Sequence, residues 1–185
     1  MYFNSPGPEN TGEIVKIAIR EALERQVSHI VAASNTGVTV FALAEEAQKQ
    51  VYEGKIICVT HVYGFKEDGK NELADEDRAR LEKLGIKVHT AAHVLSGAER
   101  SLSRKFQGVY PVEMIAHTLR MFGQGMKVCV EIAVMALDAG LVPKGKPIIS
   151  LGGTVRGADT AIVLTPGYSN TILDTKIHEI LCKPR

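Results

Sequence analysis

The stretch His29-Ile-Val-Ala-Ala-Ser-Asn-Thr-Gly-Val-Thr-Val-Phe-Ala-Leu-Ala-Glu-Glu-Ala47 decides the fold predicted for this chain. It opens with an apolar run that stops at Ser34, which is typical of a short buried strand. A turn through Asn35, Thr36 and Gly37 follows. Apolar residues then recur at helical spacing, at Val40, Phe41, Ala44 and Ala47. The stretch therefore predicts a strand, a tight turn and a helix.

This turn places hydroxyl groups beside the first N–H groups of the predicted helix. Ser34, Thr36 and Thr39 supply the hydroxyls. Because the first N–H groups of a helix have no partner within it and attract anions, a phosphate is their natural occupant. A second interpretation stays open, in which Ser34 or Thr36 simply caps the helix.

Composition indicates one ordinary globular domain spanning residues 1–185. Hydrophobic residues make up 45% and charged residues 23% of the 185 residues. The 22 basic and 21 acidic residues give a net charge of +1, which argues against a dedicated partner among nucleic acids or acidic membranes. No signal peptide and no apolar run of membrane-spanning length is found, so we expect a cytoplasmic protein.

Cysteine and histidine spacing gives no indication of a metal site. Cys58, Cys129 and Cys182 lie far apart, each within an apolar segment, so we expect buried free thiols. The six histidines lack ligand spacing, so no metal is expected.

The rest of the chain alternates predicted strands and helices. Further strands are expected at Lys55–Thr60, Ile86–Thr90, Lys146–Leu151, Ala161–Leu164 and Lys176–Cys182. Further helices are expected at about Thr11–Gln26 and Asp75–Leu84, after Ser96, from Pro111 to Gly123 and at Met126–Ala139. This alternation predicts an α/β fold with three layers, in which a mostly parallel sheet has helices on both faces and an antiparallel edge strand.

Two helix starts resemble capping boxes, Asn10 with Glu13 and Ser96 with Glu99. In the helix after Ser96, the apolar residues are expected to face inward. They are Ala98, Leu102 and Phe106.

The Met126–Ala139 segment is apolar nearly all round, which predicts a buried helix. Its Lys127 and Glu131 stand four residues apart and are expected to pair. The helix either lies in the core of the chain or faces a second subunit, so a homo-oligomer stays open.

Four polar loops follow the predicted parallel strands, at Ser34–Thr39, Thr60–Phe65, Ala91–Lys105 and Gly152–Thr160. Because ligands of open α/β sheets bind beyond the carboxyl ends of the strands, these loops predict one site for a small phosphorylated ligand. Neither the dinucleotide-binding Gly-x-Gly-x-x-Gly nor the P-loop motif occurs in the expected place.

The turn Ser34-Asn-Thr-Gly-Val-Thr39 resembles the phosphate-binding turn that opens the carboxyl-terminal α/β domain of pyruvate kinases, where allosteric sugar phosphates bind. The whole chain resembles a small family of stand-alone proteins related to that domain. The resemblance rests on four further stretches: Gly7-Pro-Glu-Asn-Thr11, His93-Val-Leu-Ser-Gly-Ala-Glu-Arg-Ser-Leu-Ser-Arg-Lys105, Lys127-Val-Cys-Val-Glu-Ile132 and Gly152-Gly-Thr-Val-Arg-Gly-Ala-Asp-Thr-Ala161. It implies the same fold and a bound flavin mononucleotide (FMN).

Two functions stay open on this resemblance. The chain is an FMN-binding protein, with a redox role open, or a non-catalytic regulatory module for a phosphorylated metabolite. Pyruvate kinase activity is not expected, because its chemistry resides in a barrel domain that needs roughly 200 residues or more. No catalytic residue can be named.

Under the FMN interpretation, the phosphate lies at the Ser34–Thr39 turn and the ring lies near His61, His93 and Gly152–Thr154. The segment Ser96–Lys105 is then expected to be a lid that turns Arg100 or Arg104 toward the ligand. A solvated surface helix is the alternative. The candidate ligand-binding residues are Ser34, Asn35, Thr36, Gly37, Thr39, Thr60, His61, His93, Ser96, Arg100, Arg104, Gly152, Gly153, Thr154, Asp159 and Thr160.

Overall fold

A computed structural model describes all residues from Met1 to Arg185. Its helices are α1 (Thr11–Glu24), α2 (Val38–Lys49), α3 (Asp75–Lys83), α4 (Gly97–Phe106), α5 (Pro111–Arg120) and α6 (Gln124–Asp138). Its strands are β1 (Tyr2–Phe3), β2 (His29–Ala33), β3 (Lys55–Thr60), β4 (Lys87–Thr90), β5 (Ile148–Gly152), β6 (Thr160–Thr165) and β7 (Lys176–Pro184).

The seven strands form one mixed sheet in the order β1-β7-β6-β5-β2-β3-β4. Strands β5, β2, β3 and β4 run parallel to one another, whereas β6 is antiparallel to both β5 and β7. The predicted α/β architecture is therefore confirmed. On the antiparallel side, the two-residue β1 adds to β7 and forms the outermost strand.

Alternation along the central strands creates two hydrophobic cores. On β2, Ile30 and Ala32 pack in the core that holds α1 and α2. Val31, which points to the opposite face, packs in the core that holds α6. The sheet is therefore covered by helices on both faces.

Helix α6 is buried along nearly its whole length, as predicted. It packs on β5, β6 and β2, and α5 lies against it. Close approach to β5 depends on a residue without a side chain, because a Cβ at Gly152 would lie 2.5 Å from the Gly125 carbonyl oxygen. The apolar surface of α6 thus belongs to the core of this chain.

Both capping-box predictions are wrong. Asn10 ends a 3-10 turn with helical dihedral angles, rather than the extended ones of a capping residue, and its Nδ2 donates to the Ser5 carbonyl oxygen at 2.8 Å. Ser96 makes no capping bond either. Pattern matching failed here because the chain entering each helix has another conformation.

The three cysteines are buried free thiols, as predicted. No helix combines the length and the apolar character that crossing a bilayer requires.

Candidate functional site

The carboxyl ends of β2, β3, β4 and β5 meet at one edge of the sheet, because these four strands are parallel. The four polar loops predicted to share that edge therefore do so. We refer to it as the carboxyl edge.

The Ser34–Thr39 turn lies at the centre of the carboxyl edge and has an uncapped helix behind it. The Ser34 N–H donates to the Val59 carbonyl oxygen at 3.0 Å, which holds the turn on the sheet. No side chain caps α2, so the capping interpretation of Ser34 and Thr36 is excluded. The first N–H groups of α2 and the turn hydroxyls are left without partners inside the chain.

Gly37 gives the turn its shape. Its φ of +87° lies in the left-handed region, which favours glycine. A Cβ at this position would meet Phe41 at 3.0 Å and Leu73 at 3.2 Å. Local conformation and packing therefore account for this glycine, independently of any ligand.

Beside the turn is a cavity of about 120 Å³, which we call the edge cavity. Its lining contains six of the predicted site residues, namely Asn35, Thr60, His61, His93, Ser96 and Arg100. It also contains residues that were not predicted as site residues, including Phe65, Arg120, Gln124, Lys127 and Glu131. The structure thus brings together parts of three of the four predicted loops.

His61 is held in the wall of the edge cavity by contacts on two sides. Its Nδ1 lies 2.7 Å from the Glu72 carboxylate. Asn71 donates from Nδ2 to the His61 carbonyl oxygen at 2.8 Å. With Nδ1 engaged, Nε2 is the ring nitrogen free to exchange a hydrogen bond or a proton with a ligand.

Aromatic rings surround His61. The Phe65 ring centroid lies 3.8 Å from that of His61, and the His93 ring meets both of them edge-on. Phe65 lines the cavity and is 46% exposed, so the cavity offers aromatic surface at its rim. Such a surface suits stacking of a planar ring.

A buried ion pair forms the floor of the edge cavity. Lys127 bonds to Glu131, as predicted, and the other Glu131 carboxylate oxygen accepts the Leu95 N–H at 3.0 Å. Burial lowers the pKa of Lys127; Glu131 opposes this effect, and the positive charges of Arg120 and Arg100 add to it. The charges of Arg120 and Arg100 therefore lie close enough to Lys127 to interact with it.

Helix α4 has the opposite orientation from the prediction. Leu102 and Phe106 are 46% and 63% exposed, and Ala98 is exposed as well, so the inward assignment is wrong. The Glu99 carboxylate instead accepts the N–H groups of Val112 and Glu113 and caps α5. Because the Glu99 carboxylate caps α5, the polar face of α4 points inward.

This orientation separates the two arginines of the predicted lid. Arg100 is half-buried and lines the edge cavity, whereas Arg104 is exposed and lies outside the lining. If α4 covers a ligand, Arg100 is the residue placed to contact it. The lid role itself stays a prediction.

The Gly152–Thr160 loop lies at the carboxyl edge but lines neither the edge cavity nor the larger cleft described below. Asp159 is fully buried; its carboxylate accepts the Thr154 N–H at 2.9 Å and the Thr160 hydroxyl at 2.8 Å. A Cβ at Gly153 would lie 2.3 Å from the Gly157 carbonyl oxygen. Internal contacts account for these residues, and their contact with a ligand stays a prediction.

The amino-terminal residues close this loop from outside. The Thr11 hydroxyl accepts the Ala158 N–H at 3.0 Å, and a Cβ at Gly157 would lie 2.5 Å from the Cα of Pro8. Two of the stretches quoted for the family resemblance are thus in contact.

A larger, open cleft of about 490 Å³ lies next to the edge cavity and shares His93 and Ser96 with it. Its walls are mainly small apolar side chains from residues 91–98, with Met135 of α6 and Ala139, which follows α6. Its volume is in the range typical of small-molecule sites.

Sequence reasoning missed several cavity residues because their elements were assigned only structural roles. Lys127 and Glu131 were identified as a pair, and two charged residues on an otherwise apolar helix were the available signal. Arg120 carried no comparable signal, since it ends an exposed helix. Glu72 lies eleven residues from His61, and only the fold of the intervening loop brings the two together.

The model of the family described as pyruvate kinase, alpha/beta domain, matches residues 12–164, which is well over half of the chain. The chain therefore belongs to this family. Among solved structures it is similar to a pyruvate kinase from Cryptosporidium parvum, at 17% identity and a TM-score of 0.38, over 78% of this chain and 20% of that one. A structure of the Cryptosporidium parvum enzyme in complex with ADP matches at 17% identity and a TM-score of 0.40, over 86% of this chain and 24% of that one. The chain thus spans less than a quarter of the length of these enzymes.

Proposed function

We propose that this protein binds a phosphorylated small molecule at the Ser34–Thr39 turn and that FMN is that molecule. The observation that carries the proposal is the uncapped start of α2, where buried Ser34 and Thr39 leave their hydroxyls without partners inside the chain. Unpaired N–H groups at a helix start favour a phosphate, and nearby hydroxyls add further donors.

The residues present fit both ends of FMN. The turn supplies donors for its phosphate. The ring would stack on the exposed aromatic surface of Phe65, next to His61 and His93. Contact of the ring with Gly152–Thr154 stays part of the proposal, and the Thr154 N–H, which donates to Asp159, is not available for it.

Bound FMN supplies redox chemistry, and its reduction by a nicotinamide cofactor would make the protein an enzyme. The chain's own part would be to hold the phosphate at the turn and to exchange a proton through Nε2 of His61, which Glu72 orients. The proposal includes the absence of pyruvate kinase activity.

The alternative function is a regulatory module that binds a phosphorylated metabolite without catalysis. The volume of the edge cavity favours this alternative, since about 120 Å³ is below the ~300–1,000 Å³ typical of sites that enclose a larger ligand. In that case the aromatic rim has no role in binding.

The test compares FMN with riboflavin, which lacks the phosphate, by fluorescence titration of the wild type and a Thr36→Val variant. Losing one hydroxyl contact to phosphate is expected to weaken FMN binding about tenfold and to leave riboflavin binding unchanged. Thr171→Val is the matched control, because Thr171 follows β6 and lies at the opposite edge of the sheet.

Equal affinity of the wild type for FMN and riboflavin would show that the turn holds no phosphate. Binding of sugar phosphates without FMN would favour the regulatory module instead. The same preparation is expected to form no pyruvate from phosphoenolpyruvate and ADP.

A further inference from the structure

Two arginines border the edge cavity without a carboxylate partner. Arg100 and Arg120 are both half-buried in its lining. Arg120 donates from Nε to Gln124 at 2.8 Å, which leaves its two terminal nitrogens free, and the Arg100 side chain makes no hydrogen bond within the chain. Two guanidinium groups in one wall repel each other unless an anion lies between them.

The carboxylates nearby cannot supply that anion. Glu131 is the only acidic residue in the lining, and its two oxygens are engaged by Lys127 and by the Leu95 N–H. Glu72 lies behind His61 and bonds to it. The charges of Arg100 and Arg120 are therefore not compensated within the chain.

The volume of the edge cavity restricts what such an anion can be. About 120 Å³ is well below the ~300–1,000 Å³ typical of sites that enclose a larger small molecule. This space suits a phosphate-sized group. The side-chain amide of Gln124, whose oxygen accepts from Arg120, adds a neutral N–H donor to the wall.

We infer that the edge cavity is an anion site of its own, which takes a phosphate-sized dianion between Arg100 and Arg120. It is separate from the Ser34–Thr39 turn, because Asn35 is the single residue of the turn in the cavity lining. The dianion is either free inorganic phosphate or a second phosphate group on the ligand held by the turn. The inference goes beyond the proposed function and does not depend on FMN being the ligand of the turn.

The test is calorimetric titration of the full chain with inorganic phosphate at low ionic strength. Arg100→Gln and Arg120→Gln are each expected to weaken phosphate binding about tenfold or more, because each removes a charge-assisted contact. Arg104→Gln is the matched control, since Arg104 lies on the same helix but outside the cavity. A cooperative melting transition of each cavity variant without phosphate shows that it folds, and phosphate is expected to raise the melting temperature of the wild type more than that of the two variants.

A second arm separates the cavity from the turn. The phosphate binding that Arg100→Gln or Arg120→Gln weakens is expected to persist in Thr36→Val, and FMN and phosphate are expected to bind at the same time. If FMN fails to bind while phosphate binding still requires Arg120, the proposed function fails and the anion site stands. Stronger binding of a two-phosphate ligand, with losses in both Thr36→Val and Arg120→Gln, would identify the dianion as part of that ligand.

Three results would overturn the inference. The first is no measurable phosphate binding by the wild type. The second is an equal loss in Arg104→Gln and the cavity variants. The third is complete displacement of phosphate by FMN, which would mean that one site holds both.

Discussion

The Ser34–Thr39 turn and the Gly152–Thr160 loop follow two neighbouring parallel strands and contain similar residues. They differ in whether their polar groups have hydrogen-bond partners within the chain. In the turn, the hydroxyls have no partner in the chain and no side chain caps the helix behind them. In the loop, the Asp159 carboxylate accepts two hydrogen bonds and Thr11 closes the outer side. The turn is open to a ligand, whereas the loop is closed on itself.

This difference shows that composition does not distinguish a binding loop from a structural one. Glycine, threonine and a short polar side chain occur in both regions, as in many ligand-binding loops. What separates them is whether a partner lies within hydrogen-bonding distance, and that depends on residues distant in the chain, such as Thr11 for Ala158. Mutations in the loop should therefore affect stability, and those in the turn should affect binding.

The largest effect is expected for Asp159→Ala. This change leaves the part-buried Thr154 N–H and the buried Thr160 hydroxyl without an acceptor, so the free energy of unfolding should fall by about 3 kcal/mol. Ser34→Ala in the open turn should change it by less than about 0.5 kcal/mol. Urea unfolding of both variants measures the contrast, and similar losses in the two would remove the distinction between the regions.

A glycine from each region gives the next comparison. Gly152→Ala would place a methyl group against backbone atoms of α6, 2.5 Å from the Gly125 carbonyl oxygen, and should destabilise the protein by about 2 kcal/mol. Gly37→Ala strains a φ of +87° but meets only the ends of the Phe41 and Leu73 side chains, which can move. Its cost should be about 1 kcal/mol. Thermal or urea unfolding measures both, and the reverse order would show that the turn is the more rigid region.

The smallest effect is the pH dependence of stability that arises from His93, which lines the edge cavity. Burial lowers the pKa of His93, with further lowering by the charges of His61, Lys127 and Arg100 against an opposing effect of Glu131. Below pH 6.5, the ordinary pKa of histidine, His93 therefore binds a proton in the unfolded chain that it does not bind in the folded chain. Its contribution to stability should be complete above pH 6.5 and should fall as the pH drops toward the folded-state pKa, by at most about 1.4 kcal/mol per pH unit.

This pH dependence is measured by unfolding between neutral and mildly acidic pH. His93→Gln should reduce the slope, while a slope remains because burial also lowers the pKa of His29 and His89. His117→Gln, at an exposed position on α5, is the control. An unchanged slope in His93→Gln would show that His93 is protonated equally in the folded and unfolded chains.

Helix α4 shows where a local pattern leads to the wrong face. Its amphipathic spacing was read correctly as a helix, but the rule that apolar residues point inward failed for Leu102 and Phe106. The contacts of Glu99 with the start of α5 and of Ser103 with Glu113 fix the polar face inward. These partners lie ten or more residues away, so periodicity carries no information about them.

The sequence by itself determined the elements, their alternation and the parallel sheet, because apolar periodicity and turn residues act over a few neighbouring positions. From these followed the shared edge of the four loops and the Ser34–Thr39 turn as the first candidate for phosphate, whereas only the structure showed that no side chain caps the helix behind this turn. Tertiary structure alone decided which polar groups were already satisfied, as at Asp159, and which were free, as at Arg120. Hydrogen bonding and charge compensation depend on distances of a few ångströms between residues far apart in sequence, and those distances exist only once the chain has folded.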